Sequence, residues 1–206
     1  MLEWIALGVV AAGGLTWLAS KRRGQRHRRA WAPILTAAAE RHQGHAATST
    51  QTPGLRGTID GTTVTLSLFD VHRGERDTRV ETDVALPDAS NVARLYIGWN
   101  TLQTPAGLDH VPEVETPPHS LEGTIRLRSD DADAARRYFE KVSLDLVDIQ
   151  REALAEGLEV TIRGGYLQLT VHGMQTNATA VDRILKVAVK LARHVDTLMP
   201  RAAPES

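Results

Sequence analysis

Trp4 to Ala19 is an apolar run, and Lys21, Arg22, Arg23, Arg26, Arg28 and Arg29 follow it at once. A segment of this kind leaves the chain few choices. As a helix its 16 residues reach about 24 Å at ~1.5 Å each, slightly under the ~30 Å hydrocarbon core of a bilayer. Hydrocarbon offers no water to satisfy backbone N–H and C=O groups, so a spanning segment of this length has to be helical. Trp4 and Trp17 stand near its two ends, where amphipathic rings favour the headgroup level. The spacing therefore predicts a transmembrane signal anchor over residues 2–20 and a basic juxtamembrane segment over 21–29.

Orientation follows from the flanking charge, because Lys and Arg are retained on the cytoplasmic side. Six basic side chains follow the run and none precedes it, which predicts the N-terminus outside and the rest of the chain in the cytoplasm. A cleavable signal peptide needs a basic region ahead of the run and small residues at its close. Here the run ends Leu18-Ala19-Ser20, so an uncleaved anchor in the inner (plasma) membrane is the expected arrangement. The basic cluster is a stop-transfer flank and also suits contact with anionic lipid.

Charge divides at the same place. Of 24 basic and 25 acidic residues, six basic and one acidic fall in residues 1–29, leaving 18 and 24 and a net charge of −6 for the remainder. An acidic domain is a poor match for nucleic acid, where clustered Lys and Arg supply most of the affinity. Phe69, Tyr96, Trp99, Tyr138, Phe139 and Tyr166 form no stacking pattern for single strands. The chain has no Cys, which removes disulfides, thiolate metal sites and Cys nucleophiles. The excess of Arg over Lys and the many Ala residues suggest a GC-rich, bacterial genome.

Residues 30–53 read as a short helix, carrying Trp31, Ile34, Leu35, Ala38 and Ala39 on one face, and then a polar linker. One domain is expected over 54–199, and a disordered tail over 200–206. Within the domain Val64, Leu66 and Leu68 alternate with Thr63, Thr65 and Ser67, preceded by the turn Asp60-Gly61. Val80, Thr82 and Val84 alternate with Arg79, Glu81 and Asp83, and strands are predicted at Ala93 to Trp99 and Ser120 to Arg128. Val160 and Ile162 join Leu167, Leu169 and Val171 through Gly164-Gly165, a second hairpin. Asp130 or Asp131 caps a predicted helix through Val142; Leu144 to Leu154 suggests another, ended by Gly157; a last helix spans Ala178 to Met199. The fold class is α+β: an N-terminal transmembrane helix, then one domain with a largely antiparallel sheet packed by about three helices.

Chemistry is sparse. The segment from Asn100 to Pro118 reads as a long Pro-rich loop, and loops of that length are often functional. It holds Asp109, His110, Glu113 and Glu115, with His119 just beyond, groups that could converge on a divalent metal. His42 and His45 form an isolated His-x-x-His, and Asp130, Asp131 and Asp133 lack the Gly and Glu of a calcium loop. His172 reads as a strand-end histidine with an ordinary hydrogen bond. No nucleophile elbow, phosphate loop, zinc-protease helix motif or dinucleotide fingerprint is present. No catalytic, cofactor-binding or metal residue is assigned, and no cofactor is expected.

The order from Leu121 onward (strand, Ser129-Asp130-Asp131, helices, the Val160 to Val171 hairpin and an amphipathic helix), with the Gly57 to Gly61 hairpin and a basic-flanked anchor upstream, resembles a family of single-pass membrane-anchored bacterial proteins whose soluble domain has no assigned function. The resemblance implies an architecture and no catalytic residue. The expected protein is thus a membrane-anchored one whose cytoplasmic domain binds a protein partner. The alternatives are a metal-dependent or other enzyme using the 109–119 loop, and a domain outside the membrane with an envelope role.

Overall fold

A computed structural model describes residues 29–48, 52–70, 78–86, 92–116, 124–174 and 178–198. The transmembrane reading of 2–20, with Trp4 and Trp17, lies outside these residues, as do Lys21, Arg22, Arg23, Arg26, Arg28 and the tail. Among the described residues no helix is long and apolar enough to cross a membrane.

The described chain is α+β, with helices laid on one antiparallel sheet. Among the described residues helix α1 covers 29–41, and Arg29 is exposed. Strands β1 (His45–Ala47), β2 (Gly54–Ile59), β3 (Thr62–Asp70), β4 (Thr78–Ala85), β5 (Leu95–Trp99), β6 (Glu113–Val114) and β7 (Ile125–Ser129) precede helix α2 (Ala132–Ala153). Strands β8 (Gly157–Arg163) and β9 (Tyr166–His172) lead to helix α3 (Ala178–Arg193) and a 3-10 turn at Val195–Leu198. The sheet has nine strands in the order β1-β2-β3-β4-β9-β8-β5-β7-β6.

Two turns fix the register. Asp60 (φ 48°) with Gly61 (φ 80°), and Gly164 (φ 57°) with Gly165 (φ 82°), place both central residues in the left-handed region. Turns of that hand match the right-handed twist of the strands they join. Alternation then sends Val64, Leu66, Leu68, Val80, Val84, Leu158, Val160, Ile162, Leu167 and Leu169 to one face, all buried. Helix α3 lies over β2, β3, β4 and β9, while α2 lies over β6, β7 and β8.

The helix layer is stitched by polar ties as well as by packing. Tyr138 donates to the Leu191 carbonyl at 3.1 Å, and burial pushes its phenol pKa well up. Lys190 Nζ lies 2.8 Å from Asp145 Oδ1 across the α2–α3 seam.

Several sequence expectations need correction. The pair of helices meeting near residue 143 is one helix: its buried face continues through Tyr138, Val142, Leu146, Ile149 and Ala153, with Leu144 turned outward at 68% exposure. Gly157 does not end it. Leu154, in the left-handed conformation with its N–H turned back to Arg151 O and Gln150 O, closes the helix, and Gly157 starts β8. The polar stretch after α1 carries β1, paired with β2. Helix α1 itself packs on the domain, with Trp31 and Leu35 fully buried in the main core. The last helix stops at Arg193 and finishes as the 3-10 turn. The strand predicted from Ser120 begins at Ile125, and residues 117–123 lie outside the described ones.

Candidate functional site

Because the helices cover one face of the sheet, the other is left to loops and solvent. Its residues come from the alternate positions: Thr65 and Ser67 on β3, Arg79, Glu81 and Asp83 on β4, Tyr166, Gln168, Thr170 and His172 on β9, Glu159, Thr161 and Arg163 on β8. Tyr96 and Gly98 of β5, then Arg126 and Arg128 of β7, continue the same rows.

The half over β5 and β7 is roofed. Arg128 Nη1 donates to Asp109 O at 2.9 Å and Val111 O at 3.1 Å, Arg163 Nη1 to Ala106 O at 2.9 Å, and Arg126 Nη2 to Asn100 O at 2.8 Å. These arginines hold residues 100–111 down on the sheet, where Leu108 and Val111 pack with Tyr96 in a small buried cluster. The Tyr96 ring lies along its own strand over Gly98, where a Cβ would collide with the phenol. Its hydroxyl is buried with no hydrogen-bond partner among the described residues, and burial, with Glu159 adding, pushes its pKa up to about 12.

That roof settles where the loop's titratable groups go. His110 Nε2 lies 3.2 Å from Arg94 Nη1, and Glu113 Oε2 pairs with Arg128 Nη2 at 3.2 Å on the short strand β6. Asp109 is fully exposed, and hydrogen bonds from its own backbone and Gly107, with His110 beside it, hold its carboxyl below the usual range. Asp109, His110 and Glu113 each answer an arginine or a backbone amide, Glu115 meets Arg136 only through its backbone carbonyl, and the four do not converge; His119 lies outside the described residues. Among the described residues no group of three or more His, Asp or Glu is arranged to hold a metal ion. His42 and His45 also part company, since His42 turns to Asp182. Asp131 caps α2 through Ala134 N at 2.9 Å, while Asp130 pairs with Arg94 and Asp133 with Arg136.

Over β3, β4 and β9 the sheet is bare among the described residues, and the polar groups there, with those of β8, are organised in rows. Glu81 and Glu159 flank Thr170 in register; Arg79 and His172 lie side by side in the next row. Arg79 Nη2 reaches Glu81 Oε1 at 3.0 Å, and its guanidinium sits over the Phe69 ring, 4.8 Å from the centroid. His172 Nε2 lies 3.0 Å from Glu159 Oε1, the ordinary strand-end hydrogen bond that the sequence leads one to expect. Burial holds the Glu81 carboxyl above its usual range; Asp83 and Glu159 act the same way, against the pull of Arg79 and His172. Gln168 donates to Asp83 Oδ1 at 2.9 Å.

Two hollows open on this bare half. One, of about 400 Å³, lies among Thr65, Asp83, Thr161, Arg163, Tyr166 and Gln168. The other, of about 380 Å³, lies at the opposite end of the same strands, among Arg79, Thr101, Leu102, Glu156, His172 and Gly173. Apart from His172, none of these residues stands out in the sequence as a site. The available signal is the polar half of each alternating strand, Arg79-Glu81-Asp83 and Gln168-Thr170-His172, read together as one surface.

In comparisons with known proteins, no family model and no curated protein matches the chain.

Proposed function

We propose that this chain is a single-pass bacterial membrane protein that holds its α+β domain on the cytoplasmic side and binds a protein partner across the bare half of the sheet. One observation carries the binding reading: among the described residues the helices cover one face only, and the arginine-pinned roof stops short of β3, β4 and β9. Tyr166, 56% exposed, stands there with Arg163 and Gln168 around a hollow. Tyr and Arg are the residues that interfaces enrich, because they bring large contact area with a polar end. The anchor rests on the apolar run and its basic flank, with Lys21 to Arg29 against anionic lipid.

The test has two arms on the full-length chain in its membrane. With a C-terminal tag and protease on intact spheroplasts, the tag is expected to survive until the membrane is permeabilised; immediate loss would place the domain outside and favour an envelope role. With a photocrosslinking side chain at position 166 or, for comparison, at 144 on the helix layer, a discrete adduct is expected from 166 alone. Equal adducts from both positions would remove the open face as the interface.

A further inference from the structure

The second hollow has an unusual set of unused groups. Arg79, His172 and Gly157 occupy one cross-strand row, and Gly157 leaves a space that Leu102 fills, bringing that side chain down as the hollow's apolar wall. In the next row Glu81 and Glu159 each take one interaction, from Arg79 and His172. An ionised carboxylate can only accept, so His172 Nε2 carries the hydrogen in that contact. In the neutral imidazole Nδ1 is then an acceptor, and no bond to it is made among the described residues.

Arg79 has donors to spare. Of its five N–H bonds only Nη2 is answered, and Nε is buried with no acceptor. Glu156 stands across the hollow, its stem against Gly173, and its exposed carboxylate makes no ion pair among the described residues. The hollow thus offers free donors from Arg79 and free acceptors from His172 Nδ1 and Glu156, beside an apolar wall.

We propose that this hollow binds a small zwitterion bearing a carboxylate and a primary ammonium, the class of a free α-amino acid. Arg79 takes the carboxylate, Glu156 and His172 Nδ1 take the ammonium, and Leu102 meets the side chain. A simple anion would face Glu156 with Glu81 and Glu159 behind, and a simple cation would face Arg79; only a ligand with both charges answers both sets. At about 380 Å³ the hollow falls in the lower range of small-ligand sites. The site is separate from the Tyr166 hollow, so it stands or falls independently of the protein partner and of membrane orientation.

The experiment uses the full-length chain, isotope-labelled at histidine, with the His172 imidazole resonances followed as probes are added. A mixture of free α-amino acids is expected to shift them saturably, with acetate alone and methylammonium alone each at least about tenfold weaker. Arg79→Gln and Glu156→Gln are each expected to weaken the amino-acid response by about tenfold or more, the effect of losing one charge-assisted hydrogen bond. Unchanged resonances elsewhere in the spectrum show that both variants remain folded. No saturable shift with the amino acids, equal affinity for acetate, or an undiminished response in Glu156→Gln would each overturn the proposal.

Discussion

His42 Nε2 lies 2.7 Å from Asp182 Oδ1, joining the end of α1 to the second turn of α3 across 140 residues of chain. Lys186 Nζ approaches the same carboxylate at 2.9 Å and Arg41 at 3.6 Å. Burial raises the Asp182 pKa, yet the hydrogen bonds from Lys186 and His42 and the charges of Lys186 and Arg41 hold it below its ordinary value. Its unfolded value is about 4. The contribution is therefore whole above pH ~4 and is lost as pH falls through the folded value. Asp182→Ala is expected to cost about 1–3 kcal/mol near neutrality, less for the share held by exposed Lys186 and Arg41. Urea midpoints at pH 7 and pH 3 measure it: the gap between parent and variant should shrink at the lower pH.

Tyr96 makes the opposite pH prediction. Its folded pKa of about 12 exceeds the unfolded value of about 10, so the stability it contributes is present below pH ~10 and lost as pH rises towards 12. Tyr96→Phe removes a buried hydroxyl that has no partner and should stay within about 1 kcal/mol of the parent at pH 7. In the alkaline range it should lose less stability than the parent, read from denaturant midpoints between pH 9 and 11. Equal alkaline loss would mean that the phenol ionises freely in the folded chain.

Thr82 faces the helices, fully buried, with its hydroxyl unpaired among the described residues. Valine has the same branched shape and no polar atom to desolvate. Thr82→Val should stabilise by about 1 kcal/mol, raising the melting temperature by roughly 2–4 °C. A lower melting temperature would show that the hydroxyl has a partner worth keeping.

The continuity of α2 is tested by a proline at its middle. Ser143 is buried within a 22-residue helix, so Ser143→Pro should cost at least about 3 kcal/mol or prevent folding, while Ser143→Ala should fold. Two helices meeting at this point would accept the proline at the start of the second. Circular dichroism melts of the two variants distinguish the cases.

The strands that build the sheet's centre are legible because their alternation is strict: Val64, Leu66 and Leu68 bury, and Thr65 and Ser67 do not. The Asp60-Gly61 and Gly164-Gly165 turns are legible because few other pairs tolerate two positive φ values in succession. The break inside α2 is a misreading with a physical cause. Leu144 shifts the apparent apolar face, and only the packing shows that this leucine points away from the core. Strand β1 escapes because three residues, His45–Ala47, carry no periodicity, and they are held by β2 rather than by their own preference. The bare-face site is the least legible part. Arg79, Glu156 and His172 come from three separate segments, and each looks like an ordinary polar residue until the register places them around one hollow. The loop's acids and histidine were conspicuous for the opposite reason: they cluster in sequence and disperse in space, drawn to Arg94 and Arg128.

The burial of α1 also determines how the domain would carry mechanical load. A pull on the chain ahead of residue 29 enters α1, whose Trp31 and Leu35 are clamped in the core and whose far end is tied to α3 by His42 and Asp182. Tension then runs through the helix layer, and β1, the first strand after α1, meets it at the sheet's edge. Strands β4 and β9, which line both hollows, lie well inside that edge. A copy held by the chain ahead of residue 29 could therefore be tugged while the surface it presents keeps its shape.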